Sequence, residues 1–150
     1  MAKGSFTELI GVDNVWFILS VLSEPKWVRV GFTASSGWMI PTDADGKLQA
    51  GYRMQDGPYI TVAVRLQRTG STITASSTGH LADEIVGTVP MEAMPSGWPL
   101  NSIPFVWRTS WSIGGGFLGP LTGNLVLTDL HPNASITAGD QMQMQLTYPA

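Results

Sequence analysis

Residues 58–77 read PYITVAVRLQRTGSTITASS, and this stretch decides the fold class. Ile60, Val62, Val64 and Leu66 alternate with Thr61, Ala63, Arg65 and Gln67. A period of two is that of a strand with one face buried. Arg68-Thr69-Gly70-Ser71 supplies a turn signal, since Gly takes positive φ without steric cost. Thr72 to Ser77 returns in β-branched and small residues, so 59–77 predicts a β-hairpin.

The same logic extends along the chain. Residues 14–23 fit a buried strand or a short helix, closed by Pro25. Lys26 to Phe32 reads as a strand, and Trp38 to Ile40 as a short one ending at Pro41. Asp45-Gly46 predicts a hairpin turn, with 47–54 as the returning strand. Glu84 to Val89 makes a strand before Pro90. Phe105 to Ile113 makes another, and Gly114-Gly115-Gly116 marks a break or wide bulge. Gly123 to Leu130 is a strand. Gln141 to Tyr148 has the cleanest alternation, Met142, Met144, Leu146 and Tyr148 against Gln143, Gln145 and Thr147. This last strand reads as a sheet edge needing cover. The sum is an all-β, antiparallel β-sandwich, jelly-roll-like, of about eight to ten short strands. Residues 1–50 are expected to hold an attachment segment and the first strands, and 51–150 the sandwich.

Composition bounds the function. Charged residues are 13% of the 150, about half the usual ~25%. A surface so poor in charge suits a protein partly covered in an assembly. Net charge is −3 with no basic cluster, which argues against nucleic acid. There is no Cys, hence no disulfide, Cys-based zinc site or thiol chemistry. The apolar run 15–22 is too short to span a membrane, and no membrane insertion is expected.

No enzyme motif stands out. His80 and His131 are the only histidines, without a Gly-x-Ser-x-Gly elbow. Asp83 and Glu84 are adjacent and would point to opposite faces of a strand. Asp43, Asp45 and Gly46 begin like a calcium loop but lack its later ligands, so they read as a turn. No metal, cofactor or catalytic residue is expected. The tryptophans are more informative. Trp107 and Trp111 would share a face of one strand about 13 Å apart. That face reads as core, with an exposed platform as the alternative. Trp98 lies in a loop stiffened by Pro95, Pro99 and Pro104, where holding a ring ready costs little entropy. Trp98, Pro95, Pro99 and Asn101 are the candidate contact residues.

The stretch RTGSTITASSTGHLADEIVGTVP at 68–90 carries a resemblance, with its box Gly87-Thr88-Val89-Pro90 and the loop MPSGWP at 94–99. The endings 123–128, 134–139 and Thr147-Tyr148-Pro149 extend it. Over about 50–150 the chain resembles the C-terminal β-sandwich of tailed-phage minor tail and tail-fibre proteins. The resemblance implies a virion structural protein, a homotrimer that contacts other virion proteins, with a host cell-surface glycan as the candidate external ligand. The alternatives are a capsid decoration or head-fibre protein and a free carbohydrate-binding module.

Overall fold

A computed structural model describes residues 26–54, 58–95 and 102–150. It is all-β and antiparallel. The strands are β1 (Thr33–Ala34), β2 (Trp38–Met39), β3 (Ala50–Met54), β4 (Tyr59–Arg68), β5 (Ile73–Thr74), β6 (His80–Thr88), β7 (Ile103–Arg108), β8 (Ile113–Leu118), β9 (Asn124–Asp129), β10 (Ser135–Ile136) and β11 (Gln141–Pro149). One nine-stranded sheet runs β1-β6-β9-β8-β7-β11-β4-β2, with β3 also on β4. β5 and β10 form a separate pair.

The path β11-β7-β8-β9 is a Greek key: three hairpin-connected strands and a fourth returning beside the first. The sheet then nearly closes on itself. The segment 33–39 pairs with β6 through Thr33 and Ala34, turns at 35–37, and pairs with β4 through Trp38 and Met39. One short segment thus bridges the two ends of the sheet, giving a barrel-like sandwich.

Side chains hold this seam as well. Arg68 is buried on β4, and its guanidinium lies 4.9 Å from the Trp38 ring centroid. Its Nη1 donates to Glu84 Oε1 at 2.8 Å, while Nε and Nη2 donate to the Ser71 carbonyl at 2.9 and 2.7 Å. Trp38 Nε1 donates to the same Glu84 oxygen at 2.8 Å. β6 reaches this position irregularly: its register shifts between His80 and Glu84, and Asp83 takes φ +23°. A bulge of this kind re-aims the side chains beside it.

The core follows the alternation. Ile60, Val62, Val64 and Leu66 of β4 meet Met142, Met144, Leu146 and Tyr148 of β11. Phe105 and Trp107 of β7 complete the layer with Leu125 and Leu127 of β9. Burial pushes the Tyr148 phenol above its ordinary pKa, and its hydroxyl donates to the Ala93 carbonyl.

Gly114-Gly115-Gly116 is no break. β8 runs straight through it, and at Gly114 and Gly116 nothing larger fits. A Cβ at Gly114 would lie 2.2 Å from the Trp107 ring, and one at Gly116 would lie 2.9 Å from the Phe105 ring. The two aromatic rings pack directly on the glycine backbone, and Trp107 Nε1 donates to the Gly115 carbonyl at 2.7 Å.

Several local expectations are corrected. Residues 59–77 are not a hairpin: β4 pairs with β11, β3 and β2, whereas β5 keeps only two residues and pairs with β10. The amides of Thr69 and Gly70, just past β4, donate to the Gly37 carbonyl, drawing the chain toward the seam. Phe105–Ile113 is two strands, not one. The Asp45-Gly46 hairpin turn is present, with Thr42 bridged to Leu48 and Gln49 N donating to the Pro41 carbonyl, but β2 and β3 do not pair with each other: they lie in succession on β4, with this hairpin projecting between them. Of 26–32, only Val28 makes a bridge, to Tyr52. β11 is no edge, since it lies between β4 and β7. β1 and β2, which fall among the first strands expected before residue 51, belong to the same sheet.

Candidate functional site

The break in β7–β8 builds the most developed site. Thr109 N donates to the Ser112 carbonyl at 2.8 Å, turning the chain through Ser110 and Trp111. Thr109 Oγ1 accepts from Trp111 N at 3.2 Å and Ser112 N at 2.9 Å. A hydroxyl that satisfies two turn amides fixes the tip locally. Trp111 at that tip is 50% exposed, and no hydrogen bond among the described residues uses its indole N–H. Trp107, four residues earlier, is fully buried.

Trp111 lines an open cleft of about 650 Å³ with Ser112, Asp129 and His131. Asp129 ends β9 and lies over the β8 glycines: a Cβ at Gly115 would come within 3.2 Å of its Oδ2. That oxygen accepts from Thr128 Oγ1 at 2.7 Å. Oδ1 is 4.0 Å from His80 Nδ1. His131 Nδ1 lies 3.1 Å from the Pro132 carbonyl, and when that nitrogen carries the proton Nε2 is left as an acceptor. The cleft therefore combines an aromatic ring, a carboxylate with free lone pairs, an imidazole, hydroxyls and the Arg108 guanidinium.

A second feature is a groove of about 510 Å³ on the outer face of β4, β11 and β7. Gln49, Gln143 and Gln145 line it with two cations, Arg65 and Arg108, and no acid. Val106 and Ile113 stand at its margin, 64% and 66% exposed. The pairing of Val106 with Gly115 makes them diagonal neighbours on one face.

Of the residues singled out in the sequence, Trp98, Pro99 and Asn101 lie outside the described residues. Pro95 is buried, so it has little surface for contact. Trp111, expected to share a face with Trp107, is the exposed ring instead. The signal that could have found it is Thr109-Ser110, a polar pair able to turn the chain between two strands. His131 lines the cleft from the chain just past β9, whereas His80 opens β6 and meets only Asp129, and no serine hydroxyl donates to either among the described residues. Among those residues no group of three or more His, Cys, Asp or Glu is placed to hold a metal ion, and no helix is long and apolar enough to cross a membrane. Asp43 is occupied as a turn residue: Oδ1 accepts from the amides of Asp45 and Lys47, and Oδ2 from Arg29. No protein-family model matches the chain, and no curated protein matches it.

Proposed function

We propose that the chain is a virion structural protein of a tailed phage, a minor tail or fibre component that self-associates, as a trimer, and contacts the host surface. It binds rather than catalyses. The observation that carries the reading is the outer face of β4, β11 and β7. Its groove is lined with glutamines, holds no acid and is flanked by exposed Val106 and Ile113. Such a face suits cover by another protein chain that brings acceptors to Arg65 and Arg108, since its remaining Gln and Val side chains cost little to desolvate. The resemblance supplies the phage context. Gly87 and Thr88 pair with Ala34 and Thr33 where the sheet closes, and Pro90 packs on Gly31.

Immunogold labelling of intact particles tests the reading. Gold on the tail is the expected result. Gold on the head shell would instead favour a capsid decoration protein, and particles lacking the chain would end the proposal. Light scattering of the purified protein checks assembly, with a trimer expected and a strict monomer at micromolar concentration counting against it.

A further inference from the structure

We infer that the Trp111 cleft binds a neutral saccharide, with Trp111 as the stacking platform and Asp129 and His131 as the hydroxyl-recognising groups. This deepens the host-contact reading and rests on it for its biological setting. The chemistry stands on the cleft alone.

A pyranose ring has one apolar face of C–H groups and a rim of hydroxyls. The indole face carries the negative part of the ring quadrupole and attracts polarised C–H groups. Trp111 offers such a face at half exposure, on a turn whose two amides are pinned by Thr109 Oγ1. Presenting the ring therefore needs little ordering on binding. Opposite it, Asp129 has about four acceptor sites, of which Thr128 fills one. The remainder can accept hydroxyl donors, and His131 Nε2 can accept another. One aromatic wall with a few convergent polar groups is the usual make-up of a small-ligand site. The charges of Asp129 and Arg108, which both line the cleft, offset each other, so nothing there draws an acidic sugar over an uncharged one and the ligand is neutral.

The site adjoins the outer groove, with which it shares Arg108 and Ile113, but Trp111, Asp129 and His131 line only the cleft at the β7–β8 tip.

The test is binding of the purified full chain to an immobilised panel of neutral hexose- and N-acetylhexosamine-terminated oligosaccharides with their sialylated and uronic counterparts. Hits are then titrated by calorimetry. At least one neutral glycan is expected to bind with Kd below about 10 mM. Trp111→Ala should weaken it at least about tenfold, roughly 1.4 kcal/mol. Trp111→Tyr should keep most of the affinity, Asp129→Asn should lose several-fold, and Leu121→Ser, at an exposed position that lines neither the cleft nor the groove, should change nothing. Melting curves of each variant separate lost binding from lost folding. Three outcomes overturn the proposal: no neutral glycan bound, binding that Trp111→Ala leaves intact, or acidic glycans preferred. Particle labelling is independent of all of them, so a failure here and a failure of the virion reading are told apart.

Discussion

Trp107 and Trp111 stand at the root and the tip of one hairpin, and the comparison separates what holds this protein together from what it offers to others. At the root, the Trp107 ring lies on bare glycine backbone and its N–H is satisfied by the Gly115 carbonyl. At the tip, the Trp111 ring faces open space and its N–H bonds to nothing described. The backbone beneath it is nonetheless fixed by Thr109. Four residues of chain separate a core ring from a half-exposed one because a tight turn resets the strand alternation.

The sharpest way to break this comparison is to truncate both rings. Trp107→Ala should cost about 3–5 kcal/mol, the usual range for a buried tryptophan. Trp111→Ala should stay within about 0.5 kcal/mol, as for a surface position. Denaturant titration measures both. Equal losses would mean that the tip is part of the core.

The seam offers an intermediate case. Trp38, like Trp107, is buried with its N–H satisfied, but its acceptor Glu84 also takes Arg68. Arg68→Ala removes the buried guanidinium and leaves Glu84 without its cation. Glu84 keeps some solvent contact, so the loss should be about 2–3 kcal/mol, less than for a wholly buried pair. Amide exchange should show the 33–39 segment opening before the Greek-key strands. A variant as stable as the parent would show that the barrel closes without the pair.

The glycine run refines the contrast further. A Cβ at Gly114 meets the Trp107 ring and the Asp129 carbonyl, at 2.2 and 2.1 Å. Gly114→Ala must push one of them aside and should cost about 1–3 kcal/mol as overpacking. At Gly115 the nearest atom is Asp129 Oδ2 at 3.2 Å, the end of an exposed side chain. Gly115→Ala should be nearly neutral, and thermal melts of the two neighbours would decide it. If Gly115→Ala proved the worse of the two, the inward and outward faces of β8 would be reversed.

How much of this was legible in the sequence depends on the range of the signal. β4, β9 and β11 follow from alternation, which is a local property of burial, and their bounds agree closely with the pattern. Pairing is not local. The Arg68–Ser71 turn signal is real, yet the Arg68 side chain turns back onto Ser71 and Gly37 captures the next two amides, so the strand after it finds β10 instead of β4. The Gln/Met strand looked like an edge because the sequence does not show that β7 lies on its far side. Gly114–Gly116 looked like an interruption because the rings that demand those glycines come from β7. For the site, period-two counting carried Trp111 to the Trp107 face, and only the Thr109–Ser112 bonds reveal that the count restarts between them.

The smallest effect compares two turns that are pinned by different chemistry. Thr109 holds the β7–β8 tip with a hydroxyl, which does not titrate in the acid range. Asp43 holds the tip between β2 and β3 with a carboxylate that accepts from the Lys47 and Asp45 amides and from Arg29. These bonds, the Lys47 amide foremost, hold its pKa below the ordinary aspartate value of 3.8. A carboxyl with a lowered folded-state pKa contributes fully above its unfolded value. The contribution falls away as the pH drops through the lowered one. Acidification from neutrality to below 3.8 should therefore speed exchange of the Lys47 and Asp45 amides relative to those of Trp111 and Ser112, once intrinsic rates are allowed for. Asp43→Asn should remove the difference in pH response, since the amide oxygen still accepts but no longer titrates. The effect on global stability should be too small to move the melting temperature measurably, because Asp43 is solvated and its pair with Arg29 lies at the surface. If the Trp111 and Ser112 amides loosened in step with those that Asp43 holds, the Thr109 hydroxyl would not be what fixes the β7–β8 tip.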